Sequence, residues 1–154
     1  MSEDIEGIEK LNATLGRFMS ALSPSGQQRL LAVIARRVAA MNRQRIAANV
    51  APDGADFEPR KPRGGKSIKR RMFARLKGTR WLKTRAFPGE AKIAFSGSAA
   101  GIARIHHYGL RGKIDKKSQR EVKYPSRPLL GVSDEDASMV EDILLQNFGA
   151  QDHV

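Results

Sequence analysis

Ile5, Ile8, Leu11, Leu15, Phe18 and Leu22 recur every three or four positions, with Glu6, Glu9 and Arg17 between them. That repeat is one apolar stripe on an α-helix. Ser23-Pro24-Ser25-Gly26 interrupts it, and a serine followed by proline is a favoured cap and first position for a new helix. The spacing predicts that second helix over 24–48, with Leu30, Ile34, Val38, Met41 and Ile46 inward and Arg29, Arg36, Arg37, Arg43 and Arg45 in water. So short a link makes the two helices a hairpin.

Between 51 and 66, Pro52, Gly54, Pro59, Pro62, Gly64 and Gly65 interrupt any regular pairing, so a loop or arm is expected. Ile68, Met72 and Leu76 share a helical face, which predicts a short third helix over 67–77 ended by Gly78. Residues 79–86 and 91–96 flank Phe87-Pro88-Gly89-Glu90, whose Pro-Gly pair fits a type II turn and predicts a β-hairpin with Ile93 and Phe95 facing the core. A short helix follows over 99–108, with Ile102 and Ile105 on its inner side and Gly109 at its end. A polar, basic loop is expected over 110–120, then a strand at Val122 and Tyr124 stopped by Pro125. The final helix, 132–149, has Ser133 and Asp136 at capping-box spacing and Met139, Val140, Ile143, Leu144 and Phe148 as its buried stripe. Together these elements predict an α+β fold, with an N-terminal helical hairpin (1–49) and a C-terminal helix (132–149) packed on a small antiparallel β-sheet, long polar loops, a loop or arm at 50–66 and short helices and a β-hairpin over 67–131, within one domain over 1–154.

Charge adds one feature that the apolar pattern does not contain. The 154-residue chain has 28 Lys and Arg against 16 Asp and Glu, a formal +12. Residues 60–85 hold twelve bases and no acid: Arg60, Lys61, Arg63, Lys66, Lys69, Arg70, Arg71, Arg75, Lys77, Arg80, Lys83 and Arg85. The rest then has 28 − 12 = 16 bases against 16 acids. A field concentrated in this way suits a nucleic acid, an acidic protein surface or an anionic lipid. Phe73, Trp81 and Phe87 are interleaved with these bases, as in single-strand binders, but three aromatics in a chain with nine are first needed for the core.

Catalytic chemistry has little support in the residues. There is no cysteine, hence no disulfide, thiolate nucleophile or cysteine-based zinc site, in keeping with a reducing compartment. His106 and His107 are adjacent, so on a helix they point about 100° apart and do not chelate one ion. The economical reading is one histidine buried beside Tyr108 and one exposed. Asp134, Glu135 and Asp136 are acids where a helix dipole favours them, and 97–101 lacks the Lys-Ser/Thr of a phosphate loop. The acidic start of the chain is unlike a signal peptide, and no apolar run approaches the ~20 residues of a membrane span. No catalytic residue, metal site, cofactor or membrane contact is expected.

Several stretches together carry a resemblance. Ala51-Pro52-Asp53-Gly54 with Phe57; Pro59-Arg60-Lys61; Arg71-Met72-Phe73 with Leu76; Ile102-Ala103-Arg104-Ile105-His106 with Tyr108-Gly109; and Arg127-Pro128-Leu129-Leu130-Gly131 with Asp134 or Asp136 resemble the phage virion morphogenesis, or tail completion protein S, family of contractile-tailed phages. The likeness covers nearly the whole chain, and the Ala-x-x-His-x-Tyr-Gly and Arg-Pro-Leu-Leu-Gly elements in this order are its most specific part. It implies a structural virion protein in the tail-neck region, assembled in the host cytoplasm, completing the head-proximal end of the tail as a hexameric ring. Tail tube protein, a neck or head completion protein and, loosely, DNA in the lumen would be its partners. Ala103, His106, Tyr108, Gly109, Arg127, Pro128 and Gly131 would shape the fold, and Arg60, Lys61, Arg63, Lys66, Lys69, Arg70, Arg71 and Arg75 would meet a partner or phosphate. The competing readings are a nucleic-acid-binding accessory protein using 60–85 and a small hydrolase using His106 or His107.

Overall fold

In the computed structural model, which describes residues 7–62, 64–65 and 71–149, the first helix is α1, Ile8–Met19. Ile5 lies outside the described residues. A short link of turns leads to α2, Pro24–Ala48, with Ser23 Oγ accepting the Gly26 amide at 3.2 Å as the capping reading requires. Gln27, which the apolar pattern does not single out, ties the link down: its side-chain amide donates to the carbonyls of Met19 (2.9 Å) and Leu22 (3.3 Å). The remaining elements are β1 (Leu82–Phe87), β2 (Glu90–Phe95), α3 (Ser98–Tyr108), β3 (Arg111–Lys113), β4 (Glu121–Lys123) and α4 (Asp134–Gly149). β1 pairs with β2 and β3 with β4, giving two two-stranded sheets and an α+β fold. No described helix is long and apolar enough to cross a membrane.

The chain divides into two compact units. The first comprises residues 1–41, 84–93 and 131–154. Its core is made by Leu11 of α1, Leu30, Ile34 and Val38 of α2, Val132, and Val140 and Leu144 of α4, with Ile8, Leu15, Phe18, Ile93, Met139, Ile143 and Phe148 packed against them. Phe18 and Phe148 meet at 5.2 Å between ring centres. These are the stripes the periodicity selects, and burying each such side chain contributes roughly 1.5–3 kcal/mol. α4 begins with a reciprocal capping box: Ser133 N donates to Asp136 Oδ2 and Asp136 N to Ser133 Oγ, both at 3.1 Å.

The second unit comprises 42–83 and 94–130. Here Ile46, Ala51, Phe57, Met72, Leu76, Ala99, Ala103 and Leu129 form the core, flanked by Phe73, Trp81 and Phe95. Most of these residues sit on loops and turns. α2 ends at Asn49, which adopts a left-handed φ of 58°, and Val50 N reaches back to Arg45 O at 3.0 Å, the bond of a Schellman cap. The chain then closes a small loop: Ala51 N donates to Ala55 O, Phe57 N to Asn49 O, and Ala55 N to Asp53 Oδ1. The first part of the expected arm is therefore pinned, with Ala51, Pro52 and Phe57 buried, while 58–62 is exposed.

Four expectations need correction. The predicted helix at 67–77 is not one where it can be followed: 67–70 lie outside the described residues, and 71–80 is a run of turns. Phe73 is the reason, since its φ of 58° cannot continue a right-handed helix; Met72 and Leu76 are nevertheless buried. In α3 the inward residues are Ala99 and Ala103, whereas Ile102 is 52% exposed; small side chains one turn apart let the helix approach its neighbours closely. The loop expected over 110–120 begins as β3, paired antiparallel with β4 in the register Arg111↔Lys123, Gly112↔Val122, Lys113↔Glu121. Arg43 and Arg45 are half-buried rather than in water, as long arginine stems lie along apolar surface. The Pro88-Gly89 turn is as predicted, with Gly89 at φ 79°, the value the third residue of a type II turn requires.

Candidate functional site

The residues of the two most specific motifs converge at the C-terminal end of α3. The helix stops at Gly109, whose φ is 65°, and Leu110 N bonds Ile105 O at 2.9 Å. A side chain at 109 would place its Cβ 2.8 Å from Ser126 N, so glycine is needed for both its conformation and its space. The segment from 124 onward satisfies the carbonyls left over at the helix end. Arg127 N donates to His106 O at 2.7 Å, and Ser126 Oγ to His107 O at 2.9 Å.

The two histidines have different structural duties, and both are half-buried, against the expectation of one exposed. His107 Nδ1 accepts the Leu129 amide at 3.1 Å, with the Leu130 amide at 3.5 Å, and its ring meets that of Tyr108 edge-on at 4.5 Å. His106 lies edge-on to Phe73 (4.9 Å) and Tyr124 (4.7 Å), and Phe57 meets Phe73 at 5.8 Å. This chain of rings joins the pinned loop, the turn segment, α3 and the residue that follows β4. Arg127, 3% exposed, closes it: Nε donates to Glu58 O at 2.7 Å, Nη2 to Pro59 O at 3.2 Å, and Nη1 faces His106 Nδ1 at 3.4 Å. A lone pair on Nδ1 suits that cation and a proton there does not. Burial above all, then Arg127 and Arg60, lowers the His106 pKa to about 4. Burial likewise lowers the Arg127 pKa, opposed by the Glu58 carboxylate.

At neutral pH His106 is thus a neutral acceptor held by a guanidinium, and the hydrogen bond described at its ring is the one to Arg127. Among the described residues no three His, Cys, Asp or Glu side chains converge to hold a metal ion. Ala103, His106, Tyr108, Gly109, Arg127 and Pro128 belong to the second unit, and Gly131 begins the last segment of the first. Arg127, a buried charge without a hydrophobic-pattern signal, is found only through the Arg-Pro-Leu-Leu-Gly motif.

Arg60, Lys61, Arg71, Arg75, Lys77, Arg80, Lys83 and Arg85 are exposed, while Arg63, Lys66, Lys69 and Arg70 lie outside the described residues. Arg71 donates to Ala47 O at 3.0 Å, and the Arg80 guanidinium lies 4.8 Å from the centre of the Trp81 ring. Phe73 and Trp81 pack on the core, whereas Phe87 is 43% exposed. The basic stretch expected over 110–120 is carried by the β3–β4 hairpin, with Arg111, Lys113, Lys116, Lys117, Arg120 and Lys123 all exposed, against Asp115 and Glu121. Counted by unit, the second has 21 bases and 5 acids, +16, and the first 7 bases and 11 acids, −4. The chain outside 60–85 is neutral in sum, but its charge is divided unequally between the two units.

No solved structure matches the chain significantly. The tail completion protein S of Escherichia phage P2 is 39% identical to it over 143 residues, covering 90% of this chain and 95% of that protein. The sequence profile of the phage virion morphogenesis family matches residues 7–149. With that match spanning every described element from α1 to α4, the chain belongs to the phage virion morphogenesis family.

Proposed function

We propose that the protein is a structural component of a phage virion that completes the head-proximal end of the tail. Subunits close a ring, six-fold by resemblance, on the last layer of the tail tube, stop further growth there, and present the surface to which the neck or head completion protein docks. Assembly takes place in the host cytoplasm, and no catalysis is involved. The observation that carries this reading is the 39% identity to a tail completion protein over nearly the full length of both chains. The buried arginine-histidine node supports it as well: its polar groups are spent on holding loops, which suits a scaffold.

In this reading Arg60, Lys61, Arg63, Lys66, Lys69, Arg70, Arg71 and Arg75 meet the acidic surface of a neighbour or, loosely, the DNA that passes through the ring. The experiment is a complementation in lysates: tails made without the protein are mixed with filled heads, with and without added protein. Joining only on addition is expected; normal joining without it overturns the proposal. A second reading, a nucleic-acid-binding accessory protein, is favoured by the exposed bases of 71–85 and predicts tight, sequence-dependent duplex binding. Incidental phosphate contact predicts weak binding that falls steeply with salt.

A further inference from the structure

The β3–β4 hairpin sets one pair of like charges, Arg111 and Lys123, opposite each other, next but one to the opposite-charge pair Lys113 and Glu121. Tyr124 N donates to Leu110 O and Ile114 N to Arg120 O, so by the alternation of an antiparallel ladder Arg111 and Lys123 form a non-hydrogen-bonded pair, the kind whose side chains stand closer. Like charges directly opposite each other are destabilising. The opposite face packs: Gly112 is buried, and a Cβ there would meet Ile105 of α3 at 2.8 Å. The tip is a built turn, with Asp115 Oδ1 accepting the amides of Lys117 (2.9 Å) and Ser118 (2.7 Å) and Ser118 Oγ accepting that of Arg120 (3.0 Å). A defined ribbon thus holds six exposed bases outward, with Leu110 37% exposed at its base.

The complementary surface is on the same chain. α4 contains five acids and no base. Asp136 is buried in the cap; Asp134, Glu135, Glu141 and Asp142 are exposed. Asp134, Glu141 and Leu145 fall on one helical face, and Leu145 is 63% exposed. An exposed leucine flanked by carboxylates is an interface composition, with an apolar centre and a charged rim.

We propose that the β3–β4 hairpin of one copy docks on the outer face of α4 of a second copy, Arg111, Lys113 and Lys123 meeting Glu141 and Asp142. This rests on the reading that subunits assemble with one another, and it names the surfaces that do so. A heterologous contact of this kind, repeated, closes a ring when its rotation permits.

The test is a charge swap in the full chain, read by sedimentation velocity. Wild-type protein should associate at low salt and dissociate as salt is raised. Lys113→Glu with Lys123→Glu should weaken association about tenfold or more, as should Glu141→Lys with Asp142→Lys. The four changes together should restore it to within about threefold. All four sites are exposed, and the milder Lys113→Gln with Lys123→Gln serves if a reversal fails to fold, with a smaller loss expected. The inference is overturned if the combined variant associates no better than either pair. It is equally overturned if wild type stays monomeric at every salt, or if the hairpin changes abolish duplex DNA binding and leave association intact. None of these results bears on head joining, whose failure in the lysate experiment would instead remove the tail-completion reading.

Discussion

The first unit is held by side chains and the second by backbone bonds and buried polar groups. In the first, α1, α2 and α4 bring aliphatic stripes to one core, and the polar contacts that matter are end caps: Ser23, Gln27, and the Ser133–Asp136 box. In the second, the core is assembled from single residues on turns, and Arg127 and two histidines bind the loops to the end of α3. The charge follows the same division, −4 against +16. A helical unit with few loops gains most of its stability from buried area and its caps, while a loop-rich unit that exposes many like charges must fix each segment individually. The difference teaches where change is best tested: backbone bonds and Arg127 fix the loops of the second unit, so its exposed bases are the positions at which folding and partner contact can be separated.

The comparison breaks most visibly if the first core is opened. Leu144→Ala, at a side chain 1% exposed, should cost about 3 kcal/mol, seen in denaturant unfolding, with amide exchange rising first in α1 and α4. In the second unit, Arg127→Met keeps the packing and removes the bonds to Glu58 and Pro59 O. A loss of about 2 kcal/mol is expected, with proteolysis appearing in 58–62 while α4 remains protected. Equal loosening of both units by either variant would show that the two cores are not separate.

A pH titration sharpens the same contrast. The unfolded chain protonates His106 near its ordinary value of 6.5, whereas the folded chain resists until about 4. Its contribution is therefore fully present above pH 6.5 and is lost as pH falls toward 4. His106→Gln should flatten that part of the stability profile. The smallest effect expected is for Ser133→Ala, about 1 kcal/mol from the lost cap on α4, measurable as a lowered urea midpoint.

How far the sequence could be read follows the same line. The helices of the first unit announce themselves because their stripes have helical period, and Ser133 with Asp136 marks the start of α4 in the sequence itself. Pro88-Gly89 does the same for the β1–β2 turn. In the second unit the apolar residues at 72 and 76 have helical spacing but lie on turns, because a left-handed Phe73 is a tertiary choice with no local signal. Ala99 and Ala103 are chosen over Ile102 for closeness of approach, which hydrophobicity cannot rank. β3 is three residues long with a glycine at its centre, too short and too basic to register as a strand. The node at Arg127 was visible only as a motif, since a buried charge contradicts the pattern from which cores are inferred.

The most direct measurement is of the separation between folding and joining in the second unit. Lys61, Arg75, Lys77 and Lys83 are exposed, and all four are replaced by Glu in one protein that is then added to tails lacking it. The account predicts unchanged circular dichroism and unfolding midpoint to within about 1 kcal/mol, with head joining lost. Joining at the wild-type level by a folded variant would contradict it.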